Sequence, residues 1–156
     1  MLSRVVDQIV MKSWAELTKD EFFEIAQLRC EVFFVEQRVD VQDFDDADRA
    51  ADTLHLYARD DDGVAAYLRV IGLAEPEFGA SRAFGRVAVR KDRRGEGLAK
   101  RLIAPVVERW GSEAMVLHSQ AYIVPLYEAF GFEVVGEPYV EAGIPHRSML
   151  RAATSG

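Results

Sequence analysis

Gly85-Arg86-Val87-Ala88-Val89-Arg90-Lys91-Asp92-Arg93-Arg94-Gly95-Glu96-Gly97-Leu98-Ala99-Lys100-Arg101-Leu102 passes from an apolar run, through Arg and Gly, into a second apolar run. Phe84 to Val89 reads as a short strand, and about Leu98 to Trp110 as a helix. The loop between them opens directly onto the helix N-terminus. First-turn amides there lack intrahelical partners, and the helix dipole favours an anion. Gly95 and Gly97 have no side chain to hold an anion away from the backbone, and Ala99 keeps the next turn narrow. Arg93, Arg94, Lys100 and Arg101 add charge around the rim. These are the requirements of a pyrophosphate cradle. The Gly-Lys-Ser/Thr of a Walker A loop and the third glycine of a dinucleotide fingerprint are both absent. A Gly-x-Gly alone also describes a surface turn; the arginines, strand and helix together favour the anion site.

The charge distribution agrees. The window from Arg86 to Arg101 holds seven bases and two acids, a net of +5 in a chain whose net is -7. A compact basic island in an acidic protein suits a small polyanion, and the overall charge makes nucleic acid a poor partner. Nine aspartates lie between Asp40 and Asp62, opposed by Arg49 and Arg59 alone. That stretch reads either as an attractor for a cationic acceptor or as a solvated loop.

Working outward, Asp7 to Trp14 reads as a first strand. Thr18-Lys19-Asp20-Glu21 is a capping box that starts a helix running through Phe22, Ile25, Leu28, Val32 and Phe33. Its end, Val32 to Val35, is apolar on several sides and is expected to bury deeply. Asp40 to Asp52 is a loop. Leu54–Arg59 and Val64–Ile71 are strands joined by the turn Asp60-Asp61-Asp62-Gly63. Glu75 to Ser81 reads as a Pro/Gly loop. Ala114–Ser119 is a strand, Ile123–Phe130 a short helix stopped by Gly131, and Phe132–Val135 and His146–Leu150 the last two strands. Hairpin-spaced strands beside crossover helices argue for a mixed α/β sheet rather than a doubly wound parallel one.

At 156 residues, 49% hydrophobic and 29% charged, the chain is expected to be one domain, 1–156, that buries a core without staples. One cysteine, Cys30, excludes an intrachain disulfide or a Cys-rich zinc site and fits a reducing compartment. No apolar run is long enough to span a membrane, and Asp7 interrupts any signal-peptide core. The expectation is a cytoplasmic protein with no membrane and no metal. Cys30 reads as packing in mid-helix. His55 and His118 read as structural hydrogen-bonding residues.

Two segments carry a family resemblance. Arg94-Gly95-Glu96-Gly97-Leu98-Ala99 resembles the Arg/Gln-x-x-Gly-x-Gly/Ala signature of the GNAT acyltransferases. Leu126-Tyr127-Glu128-Ala129-Phe130-Gly131-Phe132 is similar to that family's Tyr-x-x-x-Gly-Phe segment, and the order of elements is similar over nearly the whole chain. Leu28 to Gln37 and Gly143-Ile144-Pro145-His146 resemble the ElaA-like branch.

The resemblance implies a GNAT-like acyl-CoA N-acyltransferase fold: an α/β, mostly antiparallel sheet of six or seven strands flanked by helices and splayed at a central parallel pair. It implies N-acetyl transfer from acetyl-CoA, as co-substrate, to a primary amine by direct attack in a ternary complex. The backbone of Val87, Ala88 and Val89 would hold the pantetheine arm. Arg94, Gly95, Glu96, Gly97, Leu98, Ala99 and Lys100 would cradle the pyrophosphate. Tyr127 would touch the cofactor and donate to the leaving sulfur; spacing alone also allows a core tyrosine. Glu36, Gln37 and His146 would shape the acceptor pocket. The general base stays open among Glu36, His118, His146 and a water chain. The implied partner is a small-molecule or peptide amine, with a homodimer left open. The alternative is a CoA-binding sensor or interaction module without turnover.

Overall fold

The computed structural model describes residues 8–154. Its strands and helices are β1 (Ile9–Ser13), α1 (Lys19–Arg29), β2 (Leu54–Asp60), β3 (Gly63–Glu77), β4 (Ala80–Val89), α2 (Leu98–Trp110), β5 (Met115–Gln120), α3 (Val124–Glu128), β6 (Glu133–Glu141) and β7 (Ile144–Arg151). Asp7, the expected start of the first strand, lies outside the described residues. Seven strands form a sheet in the order β1-β2-β3-β4-β5-β7-β6. β4 and β5 run parallel, with Arg82 opposite Met115 and Ala83 opposite Val116. A parallel pair needs a crossover, and α2 supplies it. β1 with β2, β5 with β7, and β6 with β7 are antiparallel. This is the mixed sheet flanked by helices that the sequence indicated.

Among the described residues, 8–69 together with Arg86–Leu102 pack as one compact unit; Val70–Gly85 and 103–154 pack as a second. In the first, Ile25, Leu28 and Val32 bury the inner face of α1 and its continuation against Tyr57, Val64, Tyr67 and Ala88. The capping box forms: the Glu21 amide donates to the Thr18 hydroxyl at 3.1 Å, and the Thr18 amide to the Glu21 carboxylate at 2.9 Å. Burial alone would raise the Glu21 carboxyl. Hydrogen bonds from Tyr57, Lys12 and the cap outweigh it and hold the group down at about 2.

In the second unit, Ala80, Ala83 and Val116 form a core with Ile71, Leu73, Ala114 and Leu150 packed against it. Beside it, the Phe84 ring packs edge-on against Phe132 at 5.5 Å and Tyr127 at 5.9 Å.

Four expectations are corrected. Glu75–Glu77 is strand, because Phe78 (φ 49°) and Gly79 (φ 80°) make the whole turn between β3 and β4. Two successive left-handed residues match the twist of a hairpin, so no longer loop is needed. Likewise β6 reaches Glu141, and Ala142 (φ 51°) and Gly143 (φ 76°) turn into β7. The register of β6 shifts between Val135 and Tyr139. Gly136 and Pro138 lie in that interval, and a proline cannot donate to a ladder. That bulge hides the long strand from an alternation count.

The third and fourth corrections concern the helix end. Beyond Arg29 the chain widens into a π-helical stretch, Cys30–Glu36. Five-residue hydrogen bonding rotates side chains away from the α-helical stripe. Val32 stays buried, but Phe34 and Val35 are 62% and 63% exposed. Cys30 is exposed too, not packed in a helix core.

Candidate active site

The strand-loop-helix segment carries the candidate site of the first unit. β4 ends at Val89, a single turn covers Lys91–Arg93, and α2 starts at Leu98. Gly95 and Gly97 adopt φ of 84° and 79°, and a Cβ added at either meets nothing within 4 Å. The glycines are therefore required by backbone conformation, and they face open space that a ligand can enter. The Arg101 amide donates to the Gly97 carbonyl at 3.1 Å, opening the helical ladder. The amides of Leu98, Ala99 and Lys100 belong to the first turn, which has no intrahelical acceptors. Leu98 and Ala88 bury their side chains, so only their backbones can meet a cofactor. Val87 and Val89 are half-buried; Lys100 is exposed.

The arginines act differently from the rim of charge that was expected. Arg93 is only 2% exposed. It donates to Asp60 at 2.7 Å and holds the Glu96 carboxylate at 2.9 Å. Glu96 is thus neutralised from within the loop rather than opposing an anion. Arg94 grips Glu36 through two bonds of 2.9 and 2.8 Å, and its Nε donates to the Val89 carbonyl at 3.0 Å. A carbonyl has two lone pairs, so Val89 can still accept from a second donor. Glu36 is an exposed carboxylate clipped to the cradle. Gln37 caps the same π-helical stretch.

Asp60 answers Arg90 as well as Arg93. Burial would raise its carboxyl; those guanidiniums and the Asp62 amide prevail and bring it to about 2.

The acidic stretch is a loop whose Asp40, Asp46 and Asp52 are exposed, while Asp43, Asp45 and Asp48 meet arginines. Arg29, wholly buried, donates to Asp43 at 2.9 Å and to Asp48 at 2.6 Å. Arg69 meets Asp45 at 2.7 Å and Asp48 at 2.9 Å. Arg86 meets Asp43 at 2.8 Å. Three arginines from α1, β3 and β4 thereby spend the charge of three aspartates. His55 donates from Nε2 to the Asp48 carbonyl at 2.8 Å and accepts from the Tyr67 hydroxyl at 2.6 Å. Burial pushes the His55 pKa down, so the ring is a neutral structural bridge. The sequence carried one signal for this network: Arg69 sits in the apolar run Ala-Tyr-Leu-Arg-Val-Ile, and a buried guanidinium needs a carboxylate.

In the second unit, Tyr127 is 6% exposed on α3. Burial alone pushes its hydroxyl well above the usual phenol range. At neutral pH it is a hydrogen-bond donor, not a base. His118 sits on β5 with Nε2 at 2.8 Å from Glu77 and Nδ1 at 3.1 Å from the Ser148 hydroxyl. His146, on β7, is nearly buried; its Nδ1 donates to the Ile144 carbonyl at 2.7 Å and its ring stacks on Tyr139 at 5.6 Å. Among the described residues no helix is long and apolar enough to cross a membrane.

Comparison with known proteins identifies the lineage. A family model described as an acetyltransferase (GNAT) domain matches residues 19–152. The protein ElaA of Escherichia coli is 35% identical over 141 residues, spanning 88% of this chain and 91% of that protein. Its crystal structure superposes with a TM-score of 0.85 over 94% of this chain and 99% of that one, at 31% identity. A structure from Pseudomonas aeruginosa described as an acyl-CoA N-acyltransferase gives a TM-score of 0.83 at 37% identity, over 94% of this chain and all of that one. A neighbour described as a CoA-dependent acyl-homoserine lactone synthase gives 0.75 at 20% identity, a likeness of fold alone. With a family model matched over residues 19–152 and ElaA aligned over 88% of this chain and 91% of its own length, the chain belongs to the GNAT acetyltransferase family, in its ElaA-like branch.

Proposed function

We propose that this protein, acting as a single N-acetyltransferase domain in the cytoplasm, transfers an acetyl group from acetyl-CoA to a primary amine. The observation that carries the reading is the pair Gly95 and Gly97, held left-handed at the mouth of α2 with nothing standing where a Cβ would go. Residues 94–100 receive the pyrophosphate on main-chain donors, which suits a loop whose arginines are committed to Asp60, Glu96 and Glu36. The backbone of Val87, Ala88 and Val89 binds the pantetheine arm as an added strand would. Acetyl-CoA supplies a thioester whose carbonyl the amine attacks and whose sulfur leaves.

The Val87 amide would steady the charge that develops on the carbonyl oxygen. Tyr127, held protonated by burial, donates to the departing sulfur. Cys30 is exposed and is given no part, so transfer is direct. Glu36, Gln37 and His146 shape the acceptor side. An amine-dependent release of free thiol from acetyl-CoA tests the reading. Tight binding without release toward a broad amine panel would favour the sensor alternative.

A further inference from the structure

Asp43, Asp45 and Asp48 are held by arginines, and a second acidic surface lies elsewhere. One contiguous patch in the second unit has the right chemistry. Register places His118 opposite Ser148 and Gln120 opposite His146, on one face of β5 and β7, with Tyr139 opposite His146 from β6. Arg147 is opposite Ser119, so strand alternation puts that cation on the other face. Glu77 reaches the patch from β3 through His118, and Glu141 from β6 lies 3.8 Å from His146 Nε2.

The hydrogen bonds fix what this face offers. A carboxylate only accepts, so His118 Nε2–H donates to Glu77, and Nδ1 accepts from Ser148. A carbonyl only accepts, so His146 Nδ1–H donates to Ile144, and in the neutral ring Nε2 is then an acceptor. The donors of both histidines are thus committed. The face then offers two carboxylates, 42% and 63% exposed, with the buried His146 Nε2 beside one of them and the Tyr139 ring stacked on His146. An ammonium has three donors and no acceptor, and it is drawn to aromatic faces.

We propose that this patch binds the acceptor, and that the acceptor is a cationic amine carrying a second positive charge besides its reacting nitrogen. Glu77 and Glu141 pair with the distal ammonium, His146 Nε2 accepts from it, and Tyr139 packs along its alkyl chain. The inference rests on the amine-acetyltransferase reading above and names the substrate class for it.

The test is equilibrium binding, measured without turnover. Calorimetry compares 1,4-diaminobutane with n-butylamine on the wild-type protein and on the double variant Glu77→Gln/Glu141→Gln. Both positions are exposed, so the fold tolerates the change, and acetyl-CoA affinity serves as the control. The diamine is expected to bind about ten-fold tighter than the monoamine in the wild type, with that preference lost in the double variant. His146→Phe, which keeps a ring and removes the lone pair, is expected to weaken the diamine while sparing acetyl-CoA. Equal affinities for the two amines, no detectable binding of either, or a preference that survives in the double variant would each overturn the proposal. A protein that discriminates the diamine yet ignores acetyl-CoA would instead overturn the transferase reading and leave this site standing.

Discussion

Arg86 reaches Asp43 twice: its Nε lies 2.8 Å from the carboxylate, and its Nη2 donates to the backbone carbonyl at 2.9 Å. Arg86 itself is left-handed, with φ of 56° in the interior of β4. A non-glycine residue in that region costs about 1–2 kcal/mol and persists only where its surroundings impose it. Asp43 is in turn gripped by the buried Arg29, so the acidic loop acts as a clamp. It holds Arg86 left-handed just before the residues assigned to the pantetheine arm.

The clamp makes a separable prediction. Arg86→Ala keeps the backbone strain and loses the pair, and is expected to lower unfolding free energy by about 1–3 kcal/mol. Arg86→Gly relieves the strain and is expected to recover about 1 kcal/mol of that loss. Urea denaturation of the three proteins checks this. An equally or more damaging glycine variant would show that the left-handed conformation is not what the pair sustains.

Tyr127→Phe should leave acetyl-CoA binding nearly intact, since the ring contacts with Phe84 do not need the hydroxyl. Turnover should fall about 100-fold, the lower end of a general-acid contribution. Steady-state kinetics with the best acceptor measures it. Identical rates would return Tyr127 to a core role.

Acid stability follows from Asp60. Its carboxyl is depressed from 3.8 to about 2 in the folded protein. A depressed carboxylate stabilises the fold above its unfolded value, and that contribution drains away as pH falls from about 4 through about 2. Asp60→Asn should therefore cost on the order of 1–2 kcal/mol at neutral pH, and the gap to wild type should close at the acid end of that window. Thermal denaturation across pH follows both proteins. A gap that widens on acidification would contradict the assignment.

The Arg94–Glu36 fork joins the cradle to the π-helical stretch, but both side chains are well exposed, at 43% and 30%. A double-mutant cycle with Arg94→Ala and Glu36→Ala is expected to give a coupling of about 0.5 kcal/mol in stability. A coupling of several kcal/mol would mean the pair is shielded far more than its exposure indicates.

Much of this architecture was legible because its signals are local. The capping box at Thr18, the glycine turn after β4 and the Tyr127-to-Phe132 segment each declare themselves within a few residues. Non-local chemistry was not. Nothing near Asp43 in sequence shows that Arg29 and Arg86 converge on it, so the acidic stretch looked like a free surface loop. Glu96 counts as an opposing charge in the basic window until the fold shows Arg93 holding it. The π-helical widening after Arg29 broke the helical stripe without changing its composition, which is why Phe34 and Cys30 were expected inside. Gly136 and Pro138 cut a long strand in two for any count based on alternation.

The central claim is that main-chain donors between Arg94 and Lys100 grip the diphosphate of acetyl-CoA. Calorimetric titration of acetyl-CoA into the wild-type protein and into Gly97→Val tests it most directly. The wild type is expected to bind one equivalent. Gly97→Val should bind about 100-fold more weakly, because a branched side chain cannot hold φ of 79° and would occupy the space beside the first-turn amides. A wild type that shows no binding at millimolar acetyl-CoA, or a variant with undiminished affinity, would contradict the account.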